Sequence, residues 1–303
     1  LRRQRQMCIR DRYYGTIKES GIGLACEEVA RIILSENRPF SMETAACDEE
    51  YEPSSEYDSS FALQIFAARE AVFKILAKES LSIHEKLIVI LDMGSKIQQC
   101  INTDEYDNIK SVVNDYLKEG IAHTLDETRN LSDSGQFEDI SLQQGIRQIL
   151  YPYEEMEVLN PEWEVILKDI IDSLFEQMSD EEYNILNEEF GTYMVSRAYE
   201  YRQLLEYFVF RYFAKSIYDY DFLGKCQMLV TNFFVIRQMD IIRWLDNHRE
   251  YSFKDRMDVV HIFSRQVEYS EDNIENLYED FIFDDIFKTD SLIAILWIDS
   301  ENI

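Results

Sequence analysis

The segment from Tyr199 to Trp244 carries apolar residues at almost every position of the helical repeat, which constrains the fold more than any other part of the sequence. A helix that is apolar on all sides must be buried among other elements. The four residues from Tyr218 to Asp221 interrupt the segment, so it predicts two consecutive buried helices. The 303-residue chain contains only 9 glycines and 4 prolines, too few for the many turns of a strand-rich fold. The sequence therefore predicts an all-α fold, an irregular helical bundle in two halves.

Helical periodicity extends over two parts of the chain. Apolar residues recur at helical spacing in residues 61–123, which we interpret as a helical segment. The same spacing recurs in residues 142–300, which we interpret as a C-terminal helical domain. The polar residues 124–140 predict a loop between the two halves. The acidic, serine-rich residues 41–60 show no periodicity and predict a linker. A short helix from Glu27 to Leu34 precedes that linker.

Several helix ends carry capping signals. A serine followed three residues later by an acidic residue forms a capping box, in which each side chain bonds the backbone N–H of the other residue. This pattern occurs at Ser82–Glu85, Ser179–Glu182 and Ser252–Asp255. We also predict N-caps at Ser270 and at Asn160, where Pro161 takes the first helical position. Gly120 is expected to end a helix that starts at Tyr106.

We interpret residues 1–12 as a non-native segment. Residues 2–11 back-translate to a common transposase-based sequencing-library adapter whose last two bases begin an arginine codon, and Arg12 follows them. The alternative, a short basic arm, leaves a match over ten codons unexplained. We therefore expect the natural N-terminus to be missing and Cys8 to have no function. The segment carries a net charge of +4, so the remaining residues carry −33 rather than the −29 of the whole chain.

The acidity of the remaining chain excludes several kinds of partner. A charge of −33 repels phosphate backbones and anionic membrane surfaces, so we expect neither a nucleic-acid partner nor a membrane partner. The charge suits a basic protein, although most acidic surfaces are only solvated. The most apolar stretch, residues 222–245, is interrupted by charged residues and is not expected to cross a membrane.

The cysteines and histidines are scattered. After residue 12 the cysteines are Cys26, Cys47, Cys100 and Cys226, with no C-x-x-C pair among them. This spacing favours a reducing, cytoplasmic compartment and argues against a complete metal site in this chain. The four histidines also lack ligand spacing, and the sequence contains no phosphate-binding loop and no nucleophile elbow.

Charged and aromatic residues are interleaved in the first of the two buried helices. Arg202 and Glu206 stand four residues apart, as do Tyr207 and Arg211, so each pair shares one side of the helix, and Tyr212 follows. A buried arginine must be paired, because an unpaired buried charge is strongly destabilising. The cluster is therefore either a structural ion-pair network in a bundle or a clamp for a ligand.

The most distinctive polar run covers residues 264–273, with the sequence SRQVEYSEDN. Arg265 and Glu268 are three residues apart and can form an ion pair on one side of a helix. Tyr269 and Asn273 follow at the start of the next helix. The alternatives are a helix–helix corner and a contribution to a site, and the run alone does not decide between them.

Three segments resemble the flagellin lysine-N-methylase family. Residues 14–34 resemble its alternating apolar residues, Cys-Pro-Glu and Ala-Arg helix, residues 204–213 its Tyr-Phe…Arg-Tyr-Phe helix, and residues 263–273 its Ser-Arg-x-x-Glu-His-Ser-x-x-Asn run. Their order and spacing agree over most of the chain after residue 12. Two positions depart from the pattern, because Glu27 replaces the proline and Tyr269 replaces the histidine. The second departure argues against a required histidine at this corner.

The resemblance implies a fragment of a bacterial protein-lysine N-methyltransferase that uses S-adenosylmethionine to methylate flagellin, and we expect this fragment to be incomplete and inactive alone. It also implies that residues 13–40 are the remnant of a cysteine-rich N-terminal region holding a metal or an iron–sulfur cluster, with Cys26 as its remaining ligand. The residue types that this chemistry needs cluster in the motif segments. We hypothesise catalytic roles for Glu206, Tyr207, Tyr212 and Glu268, and substrate-binding roles for Arg211, Arg265, Tyr269 and Asn273.

Two other functions remain open at this point. The first is a non-catalytic acidic helical interaction module that docks a basic protein partner. The second combines both ideas: this chain grips flagellin, while the missing region binds the metal centre and the methyl donor. An enzyme predicts a concave pocket lined by the named tyrosines and a carboxylate, whereas a docking module predicts a flat acidic or aromatic surface.

Overall fold

The structure is a computed structural model that describes residues 9–14, 17–43, 46, 58–133 and 140–301. These residues are predominantly helical, and the predicted all-α class is confirmed. Before the polar segment near residue 134 the helices are α1 (Glu27–Leu34), α2 (Ser59–Leu76), α3 (Ile83–Asn102), α4 (Ile109–Asp115) and α5 (Ile121–Asp133). After it they are α6 (Leu142–Glu154), α7 (Pro161–Ile170), α8 (Asp180–Met194), α9 (Ala198–Tyr212), α10 (Ser216–Asp219), α11 (Phe222–Asp246), α12 (Phe253–Val267), α13 (Glu271–Phe283) and α14 (Thr289–Glu301). Short 3-10 segments span Tyr106–Asn108, Val195–Arg197, Phe213–Lys215 and Asp285–Phe287, and π-helical turns span Tyr116–Gly120 and Ile171–Glu176.

Helix α11 lies at the centre of the molecule. Of its 25 residues, 21 are buried, and it packs against α3, α6, α7, α9, α12, α13 and α14. The predicted pair of buried helices is therefore present, with α9 as its first member and Tyr220, in the left-handed backbone conformation (φ 55°), at the turn. No helix within the described residues combines the length and the apolar character that crossing a membrane requires.

The two halves of the chain share one core. Helix α3 of the first half packs against both α11 and α14 of the second half, and α2 packs against α9. The buried apolar residues of all these helices form a single cluster. The two halves that the sequence predicts on either side of residues 124–140 therefore form one continuous bundle.

The predicted N-caps are confirmed. Both hydrogen bonds of the capping box are present at Ser82, Ser179 and Ser252. Asn160 accepts a hydrogen bond from the backbone N–H of Glu162 and precedes Pro161 at the first helical position. Ser270 accepts one from the backbone N–H of Asn273. These signals are local, so they do not depend on the rest of the fold.

The loop predicted over residues 124–140 is wrong for residues 124–133, which belong to α5. The Thr124 hydroxyl donates to the carboxylate of Asp92 at 2.9 Å, and the indole N–H of Trp297 donates to the Thr128 hydroxyl at 3.1 Å. These contacts to α3 and α14 hold a polar helix that has little apolar periodicity of its own. Gly120 does not end the preceding helix either, because helical backbone continues through it into α5.

An antiparallel hairpin precedes α1 and was not predicted. Its strands are β1 (Ile9–Tyr14) and β2 (Ile17–Ile22), with Tyr14 opposite Ile17. Part of β1 belongs to the segment that we interpret as adapter-derived, and backbone pairing makes few demands on side-chain identity. Tyr14, just after that segment, is buried against the rings of Phe66 and Tyr218.

Some sequence predictions concern residues outside the described ranges. They are residues 1–8, residues 44–45 and 47–57 of the predicted linker, and residues 134–139 of the predicted loop. The linker ends where Asp58 caps α2, since its carboxylate accepts hydrogen bonds from the backbone N–H groups of Ser60 and Phe61.

The burial of α11 forces its polar side chains to find partners inside the protein. The Asp240 carboxylate accepts hydrogen bonds from the guanidinium of Arg256 at 2.5 Å and from the hydroxyl of Tyr201 at 2.6 Å. The Tyr251 hydroxyl also donates to it, and Glu200 holds the other side of Arg256 at 2.8 Å. Arg256 is fully buried, so its charge depends on these two carboxylates.

We expect Asp240→Ala to lower the free energy of unfolding by about 3 to 5 kcal/mol, because it leaves the buried Arg256 with one carboxylate instead of two. The matched control is Asp258→Ala, which removes an exposed ion pair with Lys254 and should cost less than about 1 kcal/mol. Urea unfolding followed by circular dichroism measures both. Equal stabilities of the two variants would contradict the importance of this network.

A second buried network joins α3, α8, α11 and α14. One Asp299 carboxylate oxygen lies 2.6 Å from Nε2 of His84, and the other accepts a hydrogen bond from the Asn187 amide at 2.5 Å. The Arg237 guanidinium donates to Asn187 at 2.9 Å. Burial opposes ionisation of Asp299, but the charges of Arg237 and His84 outweigh it and lower its pKa to about 2.

This shift predicts a pH dependence of stability. The pKa of Asp299 is lower in the folded protein than the value of about 3.9 expected in the unfolded chain, so its contribution is present above about pH 4. The contribution is lost as the pH falls from about 4 towards 2. We expect Asp299→Asn to be less stable at neutral pH and to lose less stability than the parent over that acidic interval. Unfolding free energies measured across this range test the prediction, and parallel curves would contradict it.

Candidate functional site

Helix α9 carries the charged and aromatic residues that the sequence singles out. It packs against α1, α2, α3 and α11, so almost every side of it meets another helix. Successive residues on a helix point about 100° apart, and Glu206 and Tyr207 therefore face different neighbours. This geometry divides the predicted site into a buried part around Glu268 and an open groove beside Glu206.

The buried part centres on Glu268, which follows the last residue of α12 and is 2% exposed. Its Oε2 accepts hydrogen bonds from the hydroxyls of Tyr207 at 2.7 Å and Tyr212 at 3.1 Å, and lies 3.6 Å from Nε of Arg211. Burial and the charge of Glu268 raise the pKa of both tyrosines well above the ordinary value. Burial would lower the pKa of Arg211, but Tyr207 and Glu268 raise it. The tyrosines thus remain protonated donors beside a charged arginine.

Tyr207 also connects this cluster to the segment before α1. Its hydroxyl accepts a hydrogen bond from the backbone N–H of Leu24 at 3.3 Å. A Cβ atom at Gly23 would lie 3.8 Å from the hydroxyls of both Tyr207 and Tyr269. The cluster therefore gathers Glu268, Tyr207, Tyr212, Arg211 and Tyr269, and fixes the start of α1 against α9.

Cys26 stands at the N-cap position of α1, half-buried and without a side-chain capping bond. Across the described ranges, no group of three or more His, Cys, Asp or Glu side chains is placed to hold a metal ion. The described residues therefore do not fit a metal centre by themselves. The hypothesis that Cys26 contributes to such a centre together with an upstream region stays a prediction.

An open groove runs between α1, residues 38–41 and α9, with a volume of about 430 Å³. Its walls are mainly apolar and aromatic, and its polar lining comprises Arg38, Ser41, Gln203 and Glu206. The apolar lining includes Val29, Ile32, Ile33, Phe40, Tyr207 and Phe210. The volume lies within the range of small-molecule sites, about 300 to 1,000 Å³.

Glu206 lines this groove and is 3% exposed. Its Oε1 accepts a hydrogen bond from Arg202 at 2.6 Å, as the four-residue spacing predicts. Arg202 also donates to the side chain of Asn37 and to the backbone carbonyl of Arg38, which ties the groove wall to α9. Among the described residues, nothing donates to Oε2 of Glu206. Burial raises the pKa of Glu206, although Arg202 and Lys86 oppose the shift.

Two of the predicted site residues lie elsewhere. Arg265 is exposed and lines a different groove, of about 610 Å³, together with Asp169, Asp246 and Asp258. The spacing of Arg265 and Glu268 permits an ion pair, but the structure does not contain one. The Glu268 side chain is buried in the core and faces Arg211 instead.

Asn273 is buried and serves the helix–helix corner. Its side chain accepts a hydrogen bond from the backbone N–H of Glu157 at 2.9 Å and donates to the Glu157 carbonyl at 3.0 Å. It also donates to the backbone carbonyl of Gln266 at 3.3 Å. These bonds connect the start of α13 to the segment between α6 and α7 and to the end of α12, and a substrate-binding role for Asn273 stays a prediction.

The sequence missed Gln203 and Phe40 as groove residues. Gln203 stands three residues before Glu206, so helical spacing already places the two side by side. Phe40 lies 6.3 Å from Phe210, measured between ring centroids, and no local signal predicts that contact. It depends on how the segment after α1 folds back over α9.

The Glu268 cluster predicts a stability effect. We expect Glu268→Leu to lower the free energy of unfolding by about 3 kcal/mol or more, because it leaves Arg211 uncompensated and two buried hydroxyls without an acceptor. Glu268→Gln keeps an acceptor and should cost less than the leucine variant. Urea unfolding distinguishes them, and a leucine variant as stable as the parent would show that the cluster does not hold α9, α12 and the start of α1 together.

Comparison with known proteins identifies a protein family. A family model described as the FliB lysine N-methylase C-terminal domain matches residues 69–295, about three quarters of the chain. This range includes α9 and α12, whereas α1 and the groove wall at residues 38–41 precede it. No curated protein and no solved structure matches the chain.

Proposed function

The chain belongs to the FliB lysine N-methylase family through its C-terminal domain, and we propose that it is part of an S-adenosylmethionine-dependent protein-lysine N-methyltransferase that acts on flagellin. The family description supports methylation of lysine. The resemblance of three segments to flagellin lysine-N-methylases supports flagellin as the acceptor. We place the activity in the cytoplasm, because the widely spaced cysteines favour a reducing compartment.

Methyl transfer to lysine imposes a requirement on the acceptor site. The ε-amine attacks a methyl carbon only when it is neutral, yet its pKa in water is about 10.4. An apolar or aromatic wall lowers that pKa by removing water from the ammonium, and a nearby carboxylate then accepts the proton. The acceptor site thus needs an apolar channel that ends at a carboxylate.

The groove beside α9 meets this requirement, and it is the observation that carries the proposal. We propose that the aliphatic part of the lysine lies between Ile33, Phe40 and Phe210. Its nitrogen then reaches the free Oε2 of Glu206, which holds the ammonium and accepts its proton. The raised pKa of Glu206 supports this role, since it makes the carboxylate a stronger base.

The Glu268 cluster has a different part in this proposal. Glu268 is buried behind Tyr207 and does not line the groove. We propose that Glu268, with Arg211 and Tyr212, positions the Tyr207 ring as a groove wall and, through Leu24, positions α1 opposite it. Tyr269, near Gly23, belongs to the same support.

The residues of the groove also fit the positive charge of the proposed methyl donor. Carboxylates and aromatic faces stabilise a sulfonium as they stabilise an ammonium. Tyr207 and Phe210 present aromatic faces in the groove and would hold this end of S-adenosylmethionine, while Glu206 serves the lysine nitrogen. When bound, the donor supplies an electrophilic methyl group.

A second candidate function is the non-catalytic docking of a basic protein. The observation that favours it is the open groove between α7, α11 and α12, whose lining includes Glu162, Asp169, Asp246 and Asp258. Arg243 and Arg265 in the same lining weaken its negative charge. Binding to this groove would be insensitive to changes at Glu206.

We expect Glu206→Gln to weaken binding of a single-lysine peptide about tenfold or more, because it removes the carboxylate that holds the ammonium. Isothermal titration of the peptide into the 303-residue chain measures the affinity.

The matched control is Glu154→Gln, which removes an arginine–glutamate pair within α6, outside the groove. This variant should bind the peptide as the parent does. Unchanged affinity in Glu206→Gln would remove the groove from the proposal and favour docking elsewhere on the chain.

A further inference from the structure

Gln203 lines the groove, and its Oε1 is buried without a hydrogen-bond partner in the described part of the chain. The side chain is 5% exposed and lines the groove together with Glu206. No donor among the described residues reaches its Oε1. A buried acceptor without a donor is costly, so such an atom on a residue that lines an open groove indicates a ligand that brings an N–H or O–H group.

The orientation of the Gln203 amide follows from its surroundings. Its Nε2 donates to the backbone carbonyl of Glu36 at 2.7 Å and lies 3.5 Å from that of Arg38. Exchanging the two amide atoms would place an oxygen against these carbonyl oxygens. The backbone therefore holds the nitrogen on the wall side and leaves the oxygen as the available acceptor.

Gln203 and Glu206 form a pair of acceptors. They stand three residues apart on α9, so their side chains are neighbours on one side of the helix. Each offers one oxygen that no described residue occupies, Oε1 of Gln203 and Oε2 of Glu206. A lysine ammonium carries three N–H donors and can bond both oxygens at once.

We propose that Gln203 and Glu206 together read the number of N–H groups on the lysine nitrogen, so that the groove accepts unmodified and monomethylated lysine and rejects more highly methylated forms. This inference rests on the proposed function, since it assumes that a lysine side chain occupies the groove. It makes Gln203 a specificity-determining residue for the reaction.

The physical reason is the loss of one donor with each methyl group. Unmodified and monomethylated ammonium groups have at least two N–H donors and satisfy both oxygens. A dimethylated group has one donor and leaves Gln203 unsatisfied, and a trimethylated group has none. The aromatic walls attract all four cations, so they do not distinguish between them. A site that requires a hydrogen bond strongly rejects a ligand that lacks the donor.

The test uses four peptides that contain one lysine with zero, one, two or three methyl groups. Each is titrated into the 303-residue chain and into its Gln203→Leu variant. We expect the parent to bind the monomethylated peptide about tenfold more tightly than the dimethylated one. In Gln203→Leu this ratio should fall close to one, because the acceptor that penalises the dimethylated form is absent.

Gln203→Leu also removes the bond from the side-chain amide to Glu36, so a control for the groove wall is needed. Asn37→Ala removes a different tie between α9 and the same wall, the bond from Arg202 to the Asn37 side chain at 2.8 Å. It should weaken all four peptides alike and keep the parent ratio. If Gln203→Leu does not fold, as judged by circular dichroism, Gln203→Met replaces it with the same expected ratio.

The outcomes separate the two proposals. If no lysine peptide binds the folded parent, the proposed function loses its groove. If the parent binds all four peptides equally, the groove stands but the reading of N–H groups is overturned. If Gln203→Leu keeps the parent ratio, the Gln203 oxygen only binds water and the inference is likewise overturned.

Discussion

The burial of α11 along most of its length is the constraint on which the rest of the structure depends. Of its 25 residues 21 are buried, and the polar side chains among them have no access to water, so they must find partners inside the protein. Lys225 meets Asp219 at 2.8 Å, Tyr153 donates to Thr231 at 3.0 Å, and Tyr183 donates to Gln238 at 3.0 Å. Each such bond fixes the rotation of one neighbouring helix about α11. Apolar packing alone would tolerate small rotations, whereas a hydrogen bond does not.

The positions of the two candidate carboxylates follow from this frame. Helix α9 lies against α11, and its remaining sides meet α1, α2 and α3. The Tyr207 hydroxyl donates a hydrogen bond to Glu268, which follows α12, and accepts one from the backbone N–H of Leu24, just before α1. These two hydrogen bonds connect α1 to the core. Glu206, one residue before Tyr207, faces the space left between α1 and α9. The groove is therefore a consequence of how α1 is anchored.

The sequence predicts best what is decided locally. The sequence correctly predicts the capping boxes at Ser82, Ser179 and Ser252, because each of the two side chains in a box bonds the backbone N–H of the other residue. The sequence wrongly predicts a loop for residues 124–133, because the helix that they form depends on contacts with Asp92 and Trp297, which are distant in sequence. The sequence places Tyr207, Tyr212 and Glu268 in motif segments that the family resemblance singles out, but it does not show that the two tyrosines donate to Glu268. The sequence also does not predict that Glu268 pairs with Arg211 rather than with Arg265, or that Phe40 forms a wall of the groove. Both contacts depend on the tertiary structure.

The electrostatic balance at Glu206 connects the fold to the proposed chemistry. A carboxylate bonded to an arginine is normally a weak base, since the positive charge favours its ionised form. Burial opposes this effect and raises the pKa of Glu206 despite Arg202 and Lys86. The carboxylate is thus oriented by Arg202 without losing its ability to accept a proton. An incoming ammonium displaces water from the groove, which strengthens its attraction to Glu206 and lowers the cost of giving up its proton. Arg202 contacts only Oε1 of Glu206 and orients the carboxylate through that oxygen. Oε2 therefore stays available to accept a proton.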